Sequence, residues 1–315
     1  MESRSNTLFC EVKVNTISSA VVYDRPEQLP ENLLESCRPM PLPTTMLMCR
    51  PDNFDVVDVK NPHMEGNIGN VDLKKARQQW QAVHDAFLGC TANVELIEPV
   101  ADCEDMVFCA NQTFVGLDAE GGRLCVLSQM KYPSRQREVG AFSEWFKEHG
   151  YRIEEVPVKV GFEGSGDAVW HPGRGLIWGG SGFRTEAGVY PYLSELFSVP
   201  IIRLPLQSER FYHLDTCFAA IDEKTVLIHA KSFTQDGLAL IRAVFENVIE
   251  CDDVEANEQM ACNATAIGGK HVVIHPGSPK TVETLNALGY TVHEVDTSEF
   301  LKSGGSVFCM KMYVF

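Results

Sequence analysis

The chain has 315 residues, 44% of them hydrophobic, and a formal net charge of −16 at neutral pH. That length supports a sizeable buried core, in one large domain or two ordinary ones. The acidic balance argues against nucleic acid and anionic membranes as partners, because both are gripped by clustered Lys and Arg, whereas it suits a cationic small molecule.

No stretch approaches the roughly 20 apolar residues of a membrane span. The N-terminal "MESRSNTLFCEVKVNTISS" has no apolar segment of signal-peptide form. Both observations predict a cytoplasmic protein. The 11 cysteines are odd in number, irregularly spaced and often set inside apolar runs. They read as reduced thiols rather than a disulfide framework. There is no Cys-x-x-Cys pair and the 9 histidines show no metal-ligand spacing, so the sequence calls for no metal site.

Residues 1–42 end in the proline-rich "CRPMPLPTT" and read as an N-terminal extension, leaving 43–315 as the main domain. The first strand is "MLMC". Beyond it, short polar clusters interrupt apolar runs near Asp58, Asp105, Glu163, His213 and Asn263, in steps of 47, 58, 50 and 50 residues, and 46 more residues lead to Cys309. Most clusters precede a turn and a strongly apolar strand, such as "DAEGGRLCVLS" and "DEKTVLIHA". Between them lie amphipathic segments with helical spacing: "VDLKKARQQWQAVHDAFLG", "SRQREVGAFSEWFKEHG", "EAGVYPYLSELF", "DGLALIRAVFENV" and "SPKTVETLNALG". The unit is strand, turn, strand, helix, strand, repeated about five times. A period near 50 residues predicts an α/β fold built as a five-bladed, pseudo-symmetric propeller. Its polar clusters would converge at the centre, and a last strand carrying Cys309 would complete the first blade.

Such a centre would hold Cys309, His213, Glu163, Asp105, Asn111, Asp167 and Asp215, with Asn61 and Asp58 nearby. A cysteine and a histidine in one pocket suit covalent catalysis, the thiolate attacking and the imidazole moving protons. Carboxylates beside them fit a planar cation such as a guanidinium. Arg184 and Arg135 are the candidates for an amino acid's carboxylate. Each residue also has a plainer reading: Cys309 as a small apolar filler, His213 as a structural histidine, Glu163 and Asp167 as turn formers in "EGSGD", the arginines as surface charges.

Five motifs in register decide between these readings. "RPDNFDVVDVKNPHMEGNI", "DMVFCANQTFVG", "FEGSGDAVWHPGRGLIWGGSGFRTE", "FYHLDTCF" and "EFLKSGGSVFCMKM" resemble, in order and spacing, the guanidine-modifying enzymes of the pentein superfamily. The sequence looks most similar to their arginine dihydrolase branch. It departs from that pattern at His63, where an aromatic is usual, and in "CANQT", where "TANAG" is usual. The resemblance implies that Cys309 attacks the guanidino carbon, His213 moves the protons, and Glu163 and Asp215 hold the guanidinium with Asp105 close by. It implies Arg184 and Arg135 at the substrate carboxylate, and Asp167 supporting the turn or the substrate amine. Asn111 occupies a position where deiminases and dimethylarginine hydrolases carry an aspartate. A neutral amide there implies hydrolysis of arginine through citrulline to ornithine, two ammonia and carbon dioxide. The alternatives are hydrolysis of methylated arginine, single deimination, and amidino transfer. A non-catalytic arginine-binding protein is the reading from another class. No cofactor is called for, and self-association into a homo-oligomer is compatible with the sequence.

Overall fold

The computed structural model of the chain describes residues 20–156 and 159–315. Its strands run in chain order as β1 (Val22–Tyr23), β2 (Thr45–Cys49), β3 (Asn93–Ile97), β4 (Thr113–Leu117), β5 (Arg123–Leu127), β6 (Arg152–Glu155), β7 (Ala168–Trp170) and β8 (Ile177–Ser181). They continue as β9 (Ile201–Pro205), β10 (Phe218–Ala220), β11 (Thr225–Ile228), β12 (Asn247–Glu250), β13 (Thr265–Ile267), β14 (His271–Ile274), β15 (Thr291–Glu294) and β16 (Met312–Val314). Among the described residues five helices of at least two turns connect them: α1 (Leu73–Gly89), α2 (Glu138–Glu148), α3 (Val189–Phe197), α4 (Gln235–Val244) and α5 (Pro279–Ala287).

These strands form five small sheets with one recurring topology. In each, a short strand pairs antiparallel with a middle strand, and a helix then carries the chain to a third strand that pairs parallel with the middle one. The middle strands β5, β8, β11 and β14 are almost wholly buried, which is why they read as unbroken apolar runs instead of alternating ones. In the first sheet the antiparallel strand comes from the far end of the chain: β16 pairs with β2, Met312 opposite Leu47. Cys309 itself lies in the turn before β16, not in the strand expected to carry it.

The helices begin where their sequences allow. The Asp72 carboxylate accepts from the Lys75 N–H at the start of α1, and the Thr234 hydroxyl does the same for Gly237 at α4. The fourth helical segment stops earlier than its sequence pattern suggests, at Val244, because Asn247–Glu250 pair parallel with β11. From the segment read as an extension, β1 joins β9 in parallel and turns the third sheet into a four-stranded one; residues 1–19 lie outside the described part of the chain. Among the described residues no helix is long and apolar enough to cross a membrane. Ten cysteines are described, all free and buried.

Candidate active site

One backbone station recurs ahead of the short strands β4, β7 and β10. Asp105, Glu163 and His213 each offer a carbonyl to the N–H three residues on, at Phe108, Gly166 and Thr216. The tight turn at Glu163 needs Gly164 at φ +56°, a conformation L side chains rarely adopt. These three sheets thereby send polar side chains from the same end, and three groups of side chains interlock.

In the first group Glu163 is fully buried. Its Oε2 accepts from Arg184 Nη1 at 2.8 Å and lies 2.7 Å from His213 Nε2, while its Oε1 accepts from the Lys131 backbone N–H at 2.9 Å. Burial alone would raise the Glu163 carboxyl, but the Arg184 guanidinium and His213 hold it far below the usual range. The Arg184 guanidinium lies over the rings of Tyr132 and Tyr212, 4.8 and 4.6 Å from their centroids, and donates to the Lys60 carbonyl. Asp167 lies beneath, accepting from the Leu214 N–H at 2.9 Å; burial pushes its carboxyl up to about 6.

The second group surrounds the thiol. Cys309 Sγ donates to Asp215 Oδ2 at 3.3 Å and accepts from Asn263 Nδ2 at 3.1 Å. The other face of the same amide, Asn263 Oδ1, accepts from the N–H groups of Ser306 and Cys309 and so fixes the turn that presents the sulfur. Burial, then the Asp215 carboxylate, push the thiol well up, and burial pushes Asp215 itself to about 7. Lys311, buried with its ammonium over the rings of Phe308 and Tyr313, is driven far below its usual value by burial.

In the third group Arg135 donates to Asn111 Oδ1 at 3.0 Å, to Glu138 Oε2 at 3.0 Å and to the carbonyls of Asp105 and Phe108. This fixes the Asn111 amide, whose Nδ2 then faces His213 Nδ1 at 3.4 Å. Nearby, the buried Lys60 ammonium is ion-paired with Asp58, with Glu104 at 2.9 Å and with Asp105 at 3.1 Å. Asn61 is held by the Ser303 carbonyl and the His63 N–H.

These groups enclose a small pocket whose wall includes Cys309, Asn111, Asp105, Arg135, Arg184 and Asn61. His213, Glu163 and Asp215 stand behind that wall, each within 3.4 Å of one of its residues. Asp167 is one layer further out, and Asp58 is exposed at its ion pair with Lys60. Sequence reasoning missed Lys60, Tyr132, Tyr212 and Lys311, and gave no task to Asn263. The signal for Asn263 was present, since it marks the fifth polar cluster at the common spacing.

A family model described as N,N dimethylarginine dimethylhydrolase, eukaryotic, matches residues 51–315. The chain is 35% identical over 271 residues to the bifunctional arginine dihydrolase/ornithine cyclodeaminase ArgZ of Synechocystis, a match covering 85% of this chain and 37% of that protein. It therefore spans little more than a third of the length of such bifunctional relatives. It is 32% identical over 267 residues to the N(G),N(G)-dimethylarginine dimethylaminohydrolase of Mycobacterium tuberculosis, covering 85% of this chain and 84% of that one. The crystal structure of the N-terminal domain of ArgZ, a cyanobacterial arginine dihydrolase, bound to substrate superposes with a TM-score of 0.81 at 34% identity, over 85% of this chain and 97% of that one. Another structure of that domain is covalently bonded to a reaction intermediate. Since the family model spans most of the sequence and the mycobacterial relative is matched over most of its length, the chain belongs to the N,N-dimethylarginine dimethylhydrolase family of guanidine-modifying enzymes.

Proposed function

We propose that the chain hydrolyses the guanidino group of free L-arginine by covalent cysteine catalysis, through citrulline to ornithine, two ammonia and carbon dioxide. The observation that carries this reading is the fixed amide of Asn111. Arg135 occupies its oxygen, so the amide presents its N–H donors inward. A donor serves the carbonyl oxygen of a neutral ureido group, which an aspartate would repel. A site that retains citrulline can attack it again.

The chemistry uses groups on the pocket wall and directly behind it. Burial and the Asp215 carboxylate both disfavour ionisation of the Cys309 thiol. A bound guanidinium supplies the missing positive charge, favouring ionised Asp215 and the thiolate together. Cys309 Sγ bonds to the guanidino carbon, and His213, oriented by Glu163, gives a proton to the departing nitrogen, which leaves as ammonia. His213 then takes a proton from water, which adds to the thiouronium carbon; the C–S bond breaks and citrulline forms. A second attack and hydrolysis release ornithine, ammonia and carbon dioxide, consuming two waters in all. Arg184 and Arg135 are the cations for the substrate carboxylate, with Asn61 and Asp105 lining the approach.

The family model and the mycobacterial relative favour a second reading, hydrolysis of N-methylated arginine to citrulline and a methylamine. Product analysis separates the two: arginine giving ornithine and two equivalents of ammonia, absent with Cys309→Ala, supports the first. Turnover of dimethylarginine alone, stopping at citrulline, supports the second. If Asn111→Asp leaves the citrulline-to-ornithine step unchanged, the argument from Asn111 fails.

The recurrent sheet topology and the pairing of β16 with β2 support reading the sheets as five blades of a pseudo-symmetric α/β-propeller. Residues 43–315 would be its catalytic unit, with 20–42 strapped along the third blade. The buried free thiols support a reducing cytoplasmic location.

A further inference from the structure

Away from the pocket, three side chains from distant parts of the sequence meet between α1 and the fifth sheet. Val273 of β14 packs in the same apolar cluster as Phe87 and Cys90, so this face of the sheet is the one turned toward α1. His271 lies two residues before Val273 on β14 and shares its face. His293 is the parallel-strand partner of Val273 on β15. Both imidazoles therefore project toward the end of α1, where Cys90 forms the C-cap.

The His271 Nδ1 and His293 Nε2 atoms are 3.1 Å apart. One nitrogen of each ring and the Cys90 sulfur all lie within 4.8 Å of one another. A tetrahedral zinc ion with ordinary Zn–N and Zn–S bonds sets its ligands about 3.3 Å apart between nitrogens and about 3.6 Å apart between sulfur and nitrogen. The nitrogen–nitrogen separation of 3.1 Å is close to the first of these edges and both edges fall inside the 4.8 Å limit, so side-chain movements can complete the set. The sequence concealed the group: the ligands fall at 90, 271 and 293, with no local spacing to betray them.

We propose that Cys90, His271 and His293 form a zinc site, separate from the catalytic pocket, that ties the C-terminus of α1 to strands β14 and β15. On binding, the Cys90 thiol loses its proton to solvent and the sulfur joins the metal as thiolate, with a water as fourth ligand. The ion cross-links the first and fifth sheets, so its binding free energy adds to folding stability.

The test uses the full chain carrying Cys309→Ser, so that the catalytic thiol cannot contribute, and Co(II) as probe, displaced afterwards by Zn(II). The expected result is one equivalent of Co(II) bound with tetrahedral d–d bands and a thiolate-to-metal charge-transfer band, and a melting temperature raised by Zn(II). Adding Cys90→Ser should abolish the charge-transfer band. His293→Asn, at a half-exposed position that leaves the core intact, should weaken binding by more than the roughly 10–100-fold typical of losing an outer-shell partner. No thiolate band in the Cys309→Ser protein, a band that survives Cys90→Ser, or unchanged affinity in His293→Asn overturns the proposal.

Discussion

Replacing Asp215 by Asn should stabilise the protein at alkaline pH while removing its activity. Asp215 is wholly buried and its Oδ1 has no hydrogen-bond partner among the described residues, so burial raises its carboxyl from 3.8 to about 7. Between those values the native state holds a proton that the unfolded chain has released. Stability therefore falls as pH rises through this window, and the loss is complete above about 7. At 1.36 kcal/mol per pH unit the full gap is worth about 4 kcal/mol. By the same linkage, just under ~2 kcal/mol of it has been lost by pH 5 and nearly all by pH 8. An asparagine cannot ionise but can still accept from the Cys309 thiol. Urea unfolding followed by the fluorescence of the 4 tryptophans, at pH 5 and pH 8, measures the effect. The variant's advantage over the parent should grow by about 2–3 kcal/mol between the two pH values. An advantage that stays constant or shrinks would mean that Asp215 is ionised in the empty site with a compensating cation, Lys311 being the candidate, and would refute the reasoning.

Three further changes probe the same architecture. A Cβ on Gly166 would sit 2.4 Å from Asn111 Nδ2 and 3.1 Å from His213 Nδ1, so Gly166→Ala should push both from position; since ångström misplacements cost about 100-fold, kcat should drop by that order while the circular dichroism spectrum is unchanged. Lys60→Met leaves Glu104 and Asp105 buried without their cation and should lower stability by about 3–5 kcal/mol, as urea midpoints will show. Glu163→Gln removes the carboxylate that orients His213 and should reduce kcat by about 100- to 10,000-fold, with product analysis showing no change in the products that remain.

The features legible in the sequence were those with a local cause. Middle strands buried on both faces must be apolar throughout, and turns at a fixed station need glycine and polar residues, so "RLCVL" and "EGSGD" declared themselves. Cys309, His213 and Asn111 were nominated by residue type and spacing. What stayed hidden depends on partners far along the chain. Lys60 resembles any surface lysine until Glu104 and Asp105 are seen beside it. Tyr132 and Tyr212, 80 residues apart, matter because Arg184 lies over both rings. A two-residue strand has no periodicity to detect, and β1 is found only through its pairing with β9. Cys309 was expected in the last strand because that strand is apolar on either side of it. The backbone instead turns there, pinned by Asn263 Oδ1 to the N–H groups of Ser306 and Cys309.

The pocket combines paired and unpaired charge. Arg184 and Arg135 are buried and paired with Glu163 and Glu138, and both residues line the pocket. Behind its wall the Oδ1 of Asp215 has no hydrogen-bond partner among the described residues while its Oδ2 accepts from the Cys309 sulfur, and burial drives the Lys311 ammonium far below its usual value. A buried acceptor without a donor is destabilising, and a thiol next to a carboxylate resists ionisation. Both defects are relieved by one guest group, a planar cation with N–H donors on two edges. The residues that carry these defects are thus those that would make a guanidinium welcome and activate the thiol at the same moment. An apolar replacement of Asp215 would repair the fold and remove the reason for the substrate to bind at the sulfur.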